Sequence, residues 1–136
     1  MNKLRFLLCS LLFVACNTTG PSSSLSIQVG TYEGTFSITN FVGTDSASTQ
    51  QSQATFTFSD TGWYTCRGGL FLPGAGEYKI LGDSLYLTDM LARVAIFDLT
   101  QVLDGSFHVT MDGDSLVLAQ NDERLDRYRT IKLKLQ

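Results

Sequence analysis

The feature that most constrains this chain is an alternation of apolar and polar residues with a period of two. The first run starts at Thr31 and places Tyr32, Gly34, Phe36 and Ile38 on one face. A second run repeats the pattern over residues 53–59. Alternation of this kind is typical of antiparallel strands that bury one face and leave the other in water.

Turn signals separate the apolar runs, and we interpret the runs as short strands that recur at roughly twelve-residue intervals. The turn signals are Asp60-Thr61-Gly62, Gly68-Gly69, Pro73-Gly74-Ala75-Gly76, Gly82-Asp83, Asp104-Gly105 and Asp112-Gly113. The two Asp-Gly pairs favour tight primed turns because they tolerate positive φ angles. They predict strands near residues 96–102, 107–111 and 116–120, with another turn at 121–123.

Eight or nine such strands predict an all-β fold, and we favour an antiparallel up-and-down β-barrel over a sandwich. Consecutive hairpins let each strand pair with its sequence neighbour, and closure removes the exposed sheet edges. Only residues 89–95 have helical spacing, so we expect at most one short helix there. The last strand, 127–135, carries Tyr128 out of phase with Ile131, which predicts a bulge.

The N-terminus has the pattern of an export signal. Lys3 and Arg5 precede an apolar run from Phe6 to Ala15, and Cys16 follows. An apolar run of about ten residues is too short for a permanent membrane span, which needs roughly twenty. We therefore predict a lipoprotein signal peptide over 1–15, a flexible tether over 16–29 and a β-barrel domain over 30–136.

Residues 13–16, Phe-Val-Ala-Cys, resemble the bacterial lipobox. This resemblance implies that Cys16 is lipidated, for example by palmitate, and that the protein is membrane-anchored. The alternative is cleavage by ordinary signal peptidase with Cys16 merely nearby. Asn17 stands where Asp would favour retention in the inner membrane, and no acidic residue follows closely. The resemblance thus implies an outer membrane lipoprotein that faces the periplasm.

Charge and cysteine content narrow the class of protein further. The chain has ten basic and thirteen acidic residues, and loss of Lys3 and Arg5 with the leader would make it more acidic. Such a chain is a poor partner for nucleic acid. With Cys9 in the leader and Cys16 lipidated, Cys66 has no intramolecular disulfide partner. Cys66 has the same parity as Tyr64, meaning that both are even-numbered positions on one face of the strand. This parity places Cys66 in the core, where thiols act as small hydrophobes.

No arrangement of residues predicts catalysis, a metal or a cofactor. His108 is the only histidine, and its parity places it in solvent. Glu33 and Glu77 are likewise expected outside, which disfavours a glycosidase pair. Acidic residues in the turns near 112–114 and 122–123 do not have the spacing of a calcium loop. We therefore expect that the protein is not an enzyme.

Five basic residues crowd the last fifteen positions of an otherwise acidic chain. They are Arg124, Arg127, Arg129, Lys132 and Lys134. We interpret them as a solvated strand face, since basic residues also protect a sheet edge. The alternative is contact with anionic lipid or glycan at the membrane surface.

Several short motifs resemble those of small lipocalin-like lipoproteins of the Bacteroidetes group, a largely uncharacterised family. They are Gly30-x-Tyr32, Gly62-Trp63-Tyr64-x-Cys66, Pro73-Gly74-x-Gly76-x-Tyr78, Gly82-Asp83-x-Leu85, Phe97-Asp98 and Leu103-Asp104-Gly105-x-Phe107. The resemblance covers about residues 30–135 and implies a calyx-type barrel without defined catalytic residues.

Two hypotheses for function follow. The first is a tethered barrel that binds a small apolar or amphipathic ligand in an aromatic interior. Its candidate lining consists of Tyr32, Phe36, Phe56, Phe58, Tyr64 and Tyr78. The second is a side-chain-filled barrel that acts as a protein-interaction module, such as a periplasmic inhibitor or an accessory subunit. An internal cavity would favour the first, and a solid interior the second.

Overall fold

The alternating segments fold into a closed barrel of antiparallel strands. The computed structural model describes residues 25–42, 46–92 and 99–136. Its strands are β1 (Gly30–Val42), β2 (Ser46–Phe58), β3 (Trp63–Gly68), β4 (Gly74–Leu81), β5 (Ser84–Asp89), β6 (Gly105–Asp112), β7 (Ser115–Asp122) and β8 (Arg127–Leu135). Each strand pairs with its sequence neighbour, and β8 pairs with β1 to close the sheet. The predicted all-β, up-and-down barrel is confirmed.

The barrel has two different ends. The lower end carries the start of β1 and the short turns at 59–62, 82–83 and 113–114. Gly82 and Gly113 adopt positive φ angles of 63° and 59° in two of these turns, as tight hairpins require. The upper end carries the connections 69–73, 90–104 and 123–126, of which the first two are longer. The turns described at the lower end are therefore all short, whereas the upper end also carries two longer loops.

Close backbone approach at the closing seam explains a glycine within β1. A Cβ atom at Gly34 would overlap the carbonyl oxygen of Lys132 on β8. Glycine in a strand commonly marks a point where another backbone comes this near. Between Tyr32 and Ile38, the apolar side of β1 is thus interrupted only at Gly34, which has to stay without a side chain.

The interior is filled by the inward-facing side chains of all eight strands. Phe36, Phe56, Tyr64 and Phe107 are fully buried among aliphatic residues of β5, β7 and β8. Side chains from outside the strands complete this core at each end. Ile27 is buried at the lower end, and Phe71 and Leu103 are buried at the upper end.

Residues before β1 take part in this packing. Ile27 falls within the predicted tether, yet its side chain is buried and Leu25 packs against the same core. The Tyr32 hydroxyl donates to the carbonyl of Gln28 over 3.0 Å, which holds this segment against the lower end. The packed part of the chain therefore begins upstream of Gly30. Within the described residues, no helix is long and apolar enough to span a membrane.

The connection between β5 and β6 differs from the prediction. The predicted strand near 96–102 is wrong at its described part, because Leu99–Gln101 forms a 3-10 turn. Asp104-Gly105 accordingly opens β6 after this connection, instead of forming a tight hairpin. Of the predicted short helix at 89–95, Asp89 belongs to β5 and residues 93–95 lie outside the described residues. β4 likewise begins at Gly74, inside a predicted break.

The final hairpin also differs from the prediction. β7 continues to Asp122, and the turn is a second 3-10 segment at Glu123–Leu125. The predicted bulge in β8 is wrong, since the register to β1 and β7 runs without interruption from Arg127 to Lys134. Tyr128 points outward with 41% of its surface exposed, and Arg129 occupies the inward position.

Two phenols of the lower end give the fold a pH dependence. Burial raises the pKa of both Tyr32 and Tyr78 above the ordinary value of 10.0. The unfolded chain therefore releases these protons more readily than the folded protein. The stabilisation is fully present below pH 10 and is lost as the pH rises through the raised pKa values. We expect the urea midpoint to fall above pH 10.

The measurement is urea unfolding at a series of alkaline pH values. The double variant Tyr32→Phe and Tyr78→Phe should lose less stability between neutral and alkaline pH than the wild type. Tyr86→Phe is the matched control because Tyr86 is exposed on the outer face. An unchanged pH dependence in the double variant would contradict this account.

Candidate functional site

The six residues predicted to line a ligand cavity all lie inside the barrel, but they pack against one another. Tyr32, Phe36, Phe56, Phe58 and Tyr64 are buried, and Tyr78 is half-buried against the same cluster. Their ring centroids lie 5.1 Å apart for Phe58 and Tyr78 and 5.7 Å apart for Tyr32 and Phe58. These are normal contact distances for aromatic pairs in a core. The residues are inside as predicted, in a filled interior.

A polar cavity of about 660 Å³ lies at the upper end, away from this aromatic cluster. It is half-open, and it is bounded by the last residues of β7, the turn at 123–125 and the segment 99–104. Its polar lining includes Thr100, Asp104, Gln120, Asp122, Arg124 and Arg129. Cavities that hold small ligands have volumes in this range.

Arg129 is the deepest charged group beside this cavity. The uninterrupted register of β8 turns it to the same side as Ile131, and only 4% of its surface is exposed. One terminal nitrogen, Nη1, donates to Gln120 Oε1 over 2.8 Å, and the other, Nη2, donates to the Thr100 carbonyl over 2.6 Å. Within the described part of the chain, these bonds use two of the five N–H donors of a guanidinium.

A second guanidinium and one carboxylate accompany Arg129. Arg127 and Asp122 expose only 11% and 12% of their side chains. The Asp122 Oδ2 atom lies 3.8 Å from Arg127 Nε and 3.9 Å from Arg129 Nη2, distances too long for hydrogen bonds. Among the described residues, the buried Arg127 Nε has no hydrogen-bond acceptor. This group of three side chains, the Arg127–Arg129–Asp122 group, therefore carries one more positive than negative charge.

The burial of this positive charge is reflected in the pKa of Arg129. Burial is the main cause that lowers its pKa below the ordinary value; the neighbouring charge of Arg127 lowers it further, and Asp122 acts in the opposite direction. A guanidinium still remains protonated at neutral pH. The folded protein thus holds a cation in a position where its charge is incompletely compensated. An additional anion at this place would be stabilising.

The two arginines also fasten the segment 99–104 over the upper end. The Thr100 carbonyl accepts from Nη2 of Arg127 over 3.1 Å as well as from Arg129. The Gln101 carbonyl accepts from the backbone N–H of Leu72, and the Leu103 carbonyl accepts from the Tyr64 hydroxyl. These bonds join the connections 69–73 and 99–104 to the barrel. Residues of the segment 99–104 form one wall of the cavity.

The basic cluster of the C-terminus is therefore divided between two faces. The prediction of a solvated face is confirmed for Lys132 and Lys134, which are exposed, and for Arg124, whose side chain is 91% exposed. It is wrong for Arg127 and Arg129. Their positions share the parity of Ile131 and Leu133, and this parity is the signal that could have placed them inward. Their polar character instead favoured the solvated face.

The other residues considered for chemistry lie where their parity predicts. His108 is exposed on β6, and its Nδ1 atom is 3.3 Å from Oδ2 of Asp83 in the turn between β4 and β5. Glu33 and Glu77 are exposed on the outer face. Cys66 is buried and packs next to Gly74, so its assignment to the core is confirmed. The described residues contain no group of three or more His, Cys, Asp or Glu side chains that could hold a metal ion.

A second depression, of about 500 Å³, lies on the outer wall of the barrel. Its walls include the outward threonines of the first three strands and the segment around Pro73. The Arg127–Arg129–Asp122 group distinguishes the upper cavity from this groove, since it places buried charge beside open space. The upper cavity is therefore the candidate functional site. No protein-family model, curated protein or solved structure matches the chain.

Proposed function

We propose that this protein is a membrane-tethered binding protein of the bacterial envelope, and that its ligand is a small organic acid held in the upper cavity. The observation that carries the proposal is the buried Arg129 guanidinium beside a cavity of about 660 Å³. The compensation of its charge by Asp122 is incomplete, and a carboxylate matches the planar fork of an arginine.

This proposal places the ligand in a different part of the barrel from the aromatic interior. A ligand among Phe56, Phe58 and Tyr64 would have to displace side chains that are already in contact. The upper cavity requires no such displacement. Its rim carries both signs of charge, from Asp104 and Arg124, so the ligand we propose has polar groups in addition to its acid.

The tether is part of the same proposal. Export with the signal at 1–15, lipidation of Cys16 and anchoring in the periplasmic leaflet of the outer membrane would attach the barrel through its N-terminus. The described chain enters the barrel at the lower end, where Ile27 is buried and the Tyr32 hydroxyl donates to the Gln28 carbonyl. The cavity lies at the other end and would face away from the membrane surface, open to a ligand in the periplasm.

Native mass spectrometry of the protein extracted from its own envelope in mild detergent tests both the lipid tether and the bound ligand. For the tether, we expect a chain that starts at Cys16 and carries acyl groups. For the ligand, we expect an additional mass of a small acid on the wild-type protein and its loss from Arg129→Gln. Arg67→Gln is the matched control, because Arg67 is an exposed arginine on the outer wall of the barrel, where it lines the second depression.

Circular dichroism of each variant verifies that the barrel is folded, so that loss of the ligand is not a consequence of unfolding. Arg129→Lys adds a second comparison because it keeps the charge and removes the bidentate fork; we expect partial retention of the acid. Retention of the same bound mass by folded Arg129→Gln, or no bound acid on the wild type, would overturn the ligand proposal. The mass at Cys16 decides the tether separately.

A further inference from the structure

The upper half of β2 is a sheet edge inside an otherwise closed barrel. All thirteen residues of β2 pair with β1, but pairing with β3 covers only Ala54 to Phe58. A Cβ atom at Gly69 would lie 3.1 Å from the Cβ atom of Ser52, so the chain that leaves β3 covers the edge at that residue. Along Ser46–Gln51, no described residue pairs with the side of β2 that faces away from β1.

Among the described residues, this free edge has none of the features that protect natural edge strands. Its sequence is Ser-Ala-Ser-Thr-Gln-Gln, without charge, proline or glycine, and residues 47–51 are exposed. Edge strands are ordinarily guarded by lysine, proline, bulges or a covering loop, because their free N–H and C=O groups accept another strand. The segment is extended and hydrogen-bonded on one side only, which is the starting geometry for strand addition.

We propose that this edge pairs with the same edge of a second copy of the chain, antiparallel about a twofold axis. Side chains on opposed strands must point to the same face, so residues of equal parity have to meet. Pairing centred on Thr49 satisfies this condition. It places Thr49 opposite its counterpart and Ala47 opposite Gln51, and it uses the segment over its exposed length.

A second copy suits this edge for two reasons. The chain carries a net charge of −3, but the free edge has no charged residue, so two copies meet there without like-charge contact. The barrel also already uses opposed threonines on this outer face. The side-chain oxygens of Thr39 and Thr49 are 3.0 Å apart, and those of Thr31 and Thr57 are 3.1 Å apart. A Thr49 pair across the axis would repeat this arrangement.

The size of the contact sets its strength. Pairing over five residues covers much less than the roughly 1,600 Å² of a standard interface. We therefore expect a weak and reversible dimer. The contact does not involve the Arg127–Arg129–Asp122 group, so it is independent of the ligand proposed for the cavity.

Co-purification of two differently tagged full-length copies from the same cells tests the pairing. One copy is captured through its tag, and the amount of the other copy that comes with it is measured. Thr49→Lys in both copies places two lysines opposite each other, which should reduce recovery of the second copy by at least about tenfold. Thr57→Lys is the matched control. It removes an equivalent threonine pair on the same face of the same strand, where β3 already covers the edge. Its recovery should stay close to that of the wild type.

Charge complementation makes the test specific for self-pairing. One copy with Thr49→Lys and one with Thr49→Glu should associate at least as well as two wild-type copies. Thr49→Cys provides a second readout, since opposed residues of paired strands lie within disulfide distance and a covalent dimer should form under oxidation. Equal recovery of the Lys/Lys and Lys/Glu pairs, absence of the covalent dimer, or cross-linking of residue 49 to another protein would overturn the proposal.

Discussion

Replacement of Phe56 by alanine is expected to lower the free energy of unfolding by about 3 to 5 kcal/mol. The Phe56 side chain is fully buried, and its ring centroid lies 6.0 Å from that of Phe58 and 6.1 Å from that of Phe71. These neighbours come from β2 itself and from the upper connection 69–73. Their backbone is fixed by the barrel, so they cannot close the space that the ring leaves. The cost therefore includes the lost burial and a residual cavity.

Urea unfolding followed by tryptophan fluorescence measures this change, with Trp63 as the probe on the outer face. Phe41→Ala is the matched control, because the Phe41 side chain is 50% exposed, and its substitution should change stability by less than about 0.5 kcal/mol. A loss below about 1 kcal/mol for Phe56→Ala would show that the interior tolerates empty space. That result would contradict our description of the aromatic interior as filled, and the interior would again be a candidate ligand site.

Asp122→Asn is expected to be the most destabilising change in the polar part of the barrel, with a loss of about 3 kcal/mol. The substitution keeps the shape of the side chain and removes the carboxylate that lies between two guanidiniums. Arg127 and Arg129 would then be two like charges in a site with little access to water. Both arginines donate to the Thr100 carbonyl. If repulsion displaces their side chains, the segment 99–104 should become more mobile as well.

Thermal and urea unfolding measure the total loss, and hydrogen exchange of residues 99–104 measures the loosening. Asp114→Asn is the matched control. Its carboxylate lies 3.4 Å from Lys134 Nζ, but both side chains are largely exposed, and such pairs contribute less than about 1 kcal/mol. Addition of Arg127→Gln to Asp122→Asn should recover part of the stability, because one unpaired cation is removed. No recovery in the double variant would argue against charge imbalance as the cause.

These two expectations concern the two parts of the interior that bear on function. If the aromatic part is as tightly packed as we expect, binding has to occur outside it. If the Arg127–Arg129–Asp122 group is short of negative charge, an acidic ligand would also stabilise the fold. Added ligand should then raise the unfolding temperature of the wild type, and it should raise that of Asp122→Asn by more. The two parts of the barrel thus have separate and measurable roles.

Much of the fold could be predicted because the faces of a strand alternate with a fixed period. The inward positions of Tyr32, Phe36 and Phe56 and the outward positions of Glu33 and His108 follow from parity alone. The same rule places Arg127 and Arg129 inward, against their polar character. The pleated backbone of the strand sets which face each side chain points to. The polarity of the side chain changes only the free energy of the resulting structure. The rule therefore held where the expectation from residue type failed.

The connection between β5 and β6 could not be predicted in the same way. Leu99–Gln101 carries a β-type pattern, yet it forms a 3-10 turn because Thr100 bonds to the arginines of β8 and Leu103 fills the core beside Tyr64. These partners are more than twenty-five residues away in sequence. Contacts of that range outweigh a local preference that amounts to a fraction of a kcal/mol per residue.

The sequence by itself determined most of the strands, most of their buried faces and most of the hairpin turns, since these depend on period and on local turn geometry. Only the tertiary structure decided that Arg127 and Arg129 share one carboxylate beside a cavity, that Ile27 and Leu103 complete the core, and that β2 extends beyond β3. Closure of the barrel brings the two arginines and the core side chains together, and unequal strand lengths leave part of β2 without a partner. Both are properties of the whole sheet and cannot be seen in the sequence of any single strand.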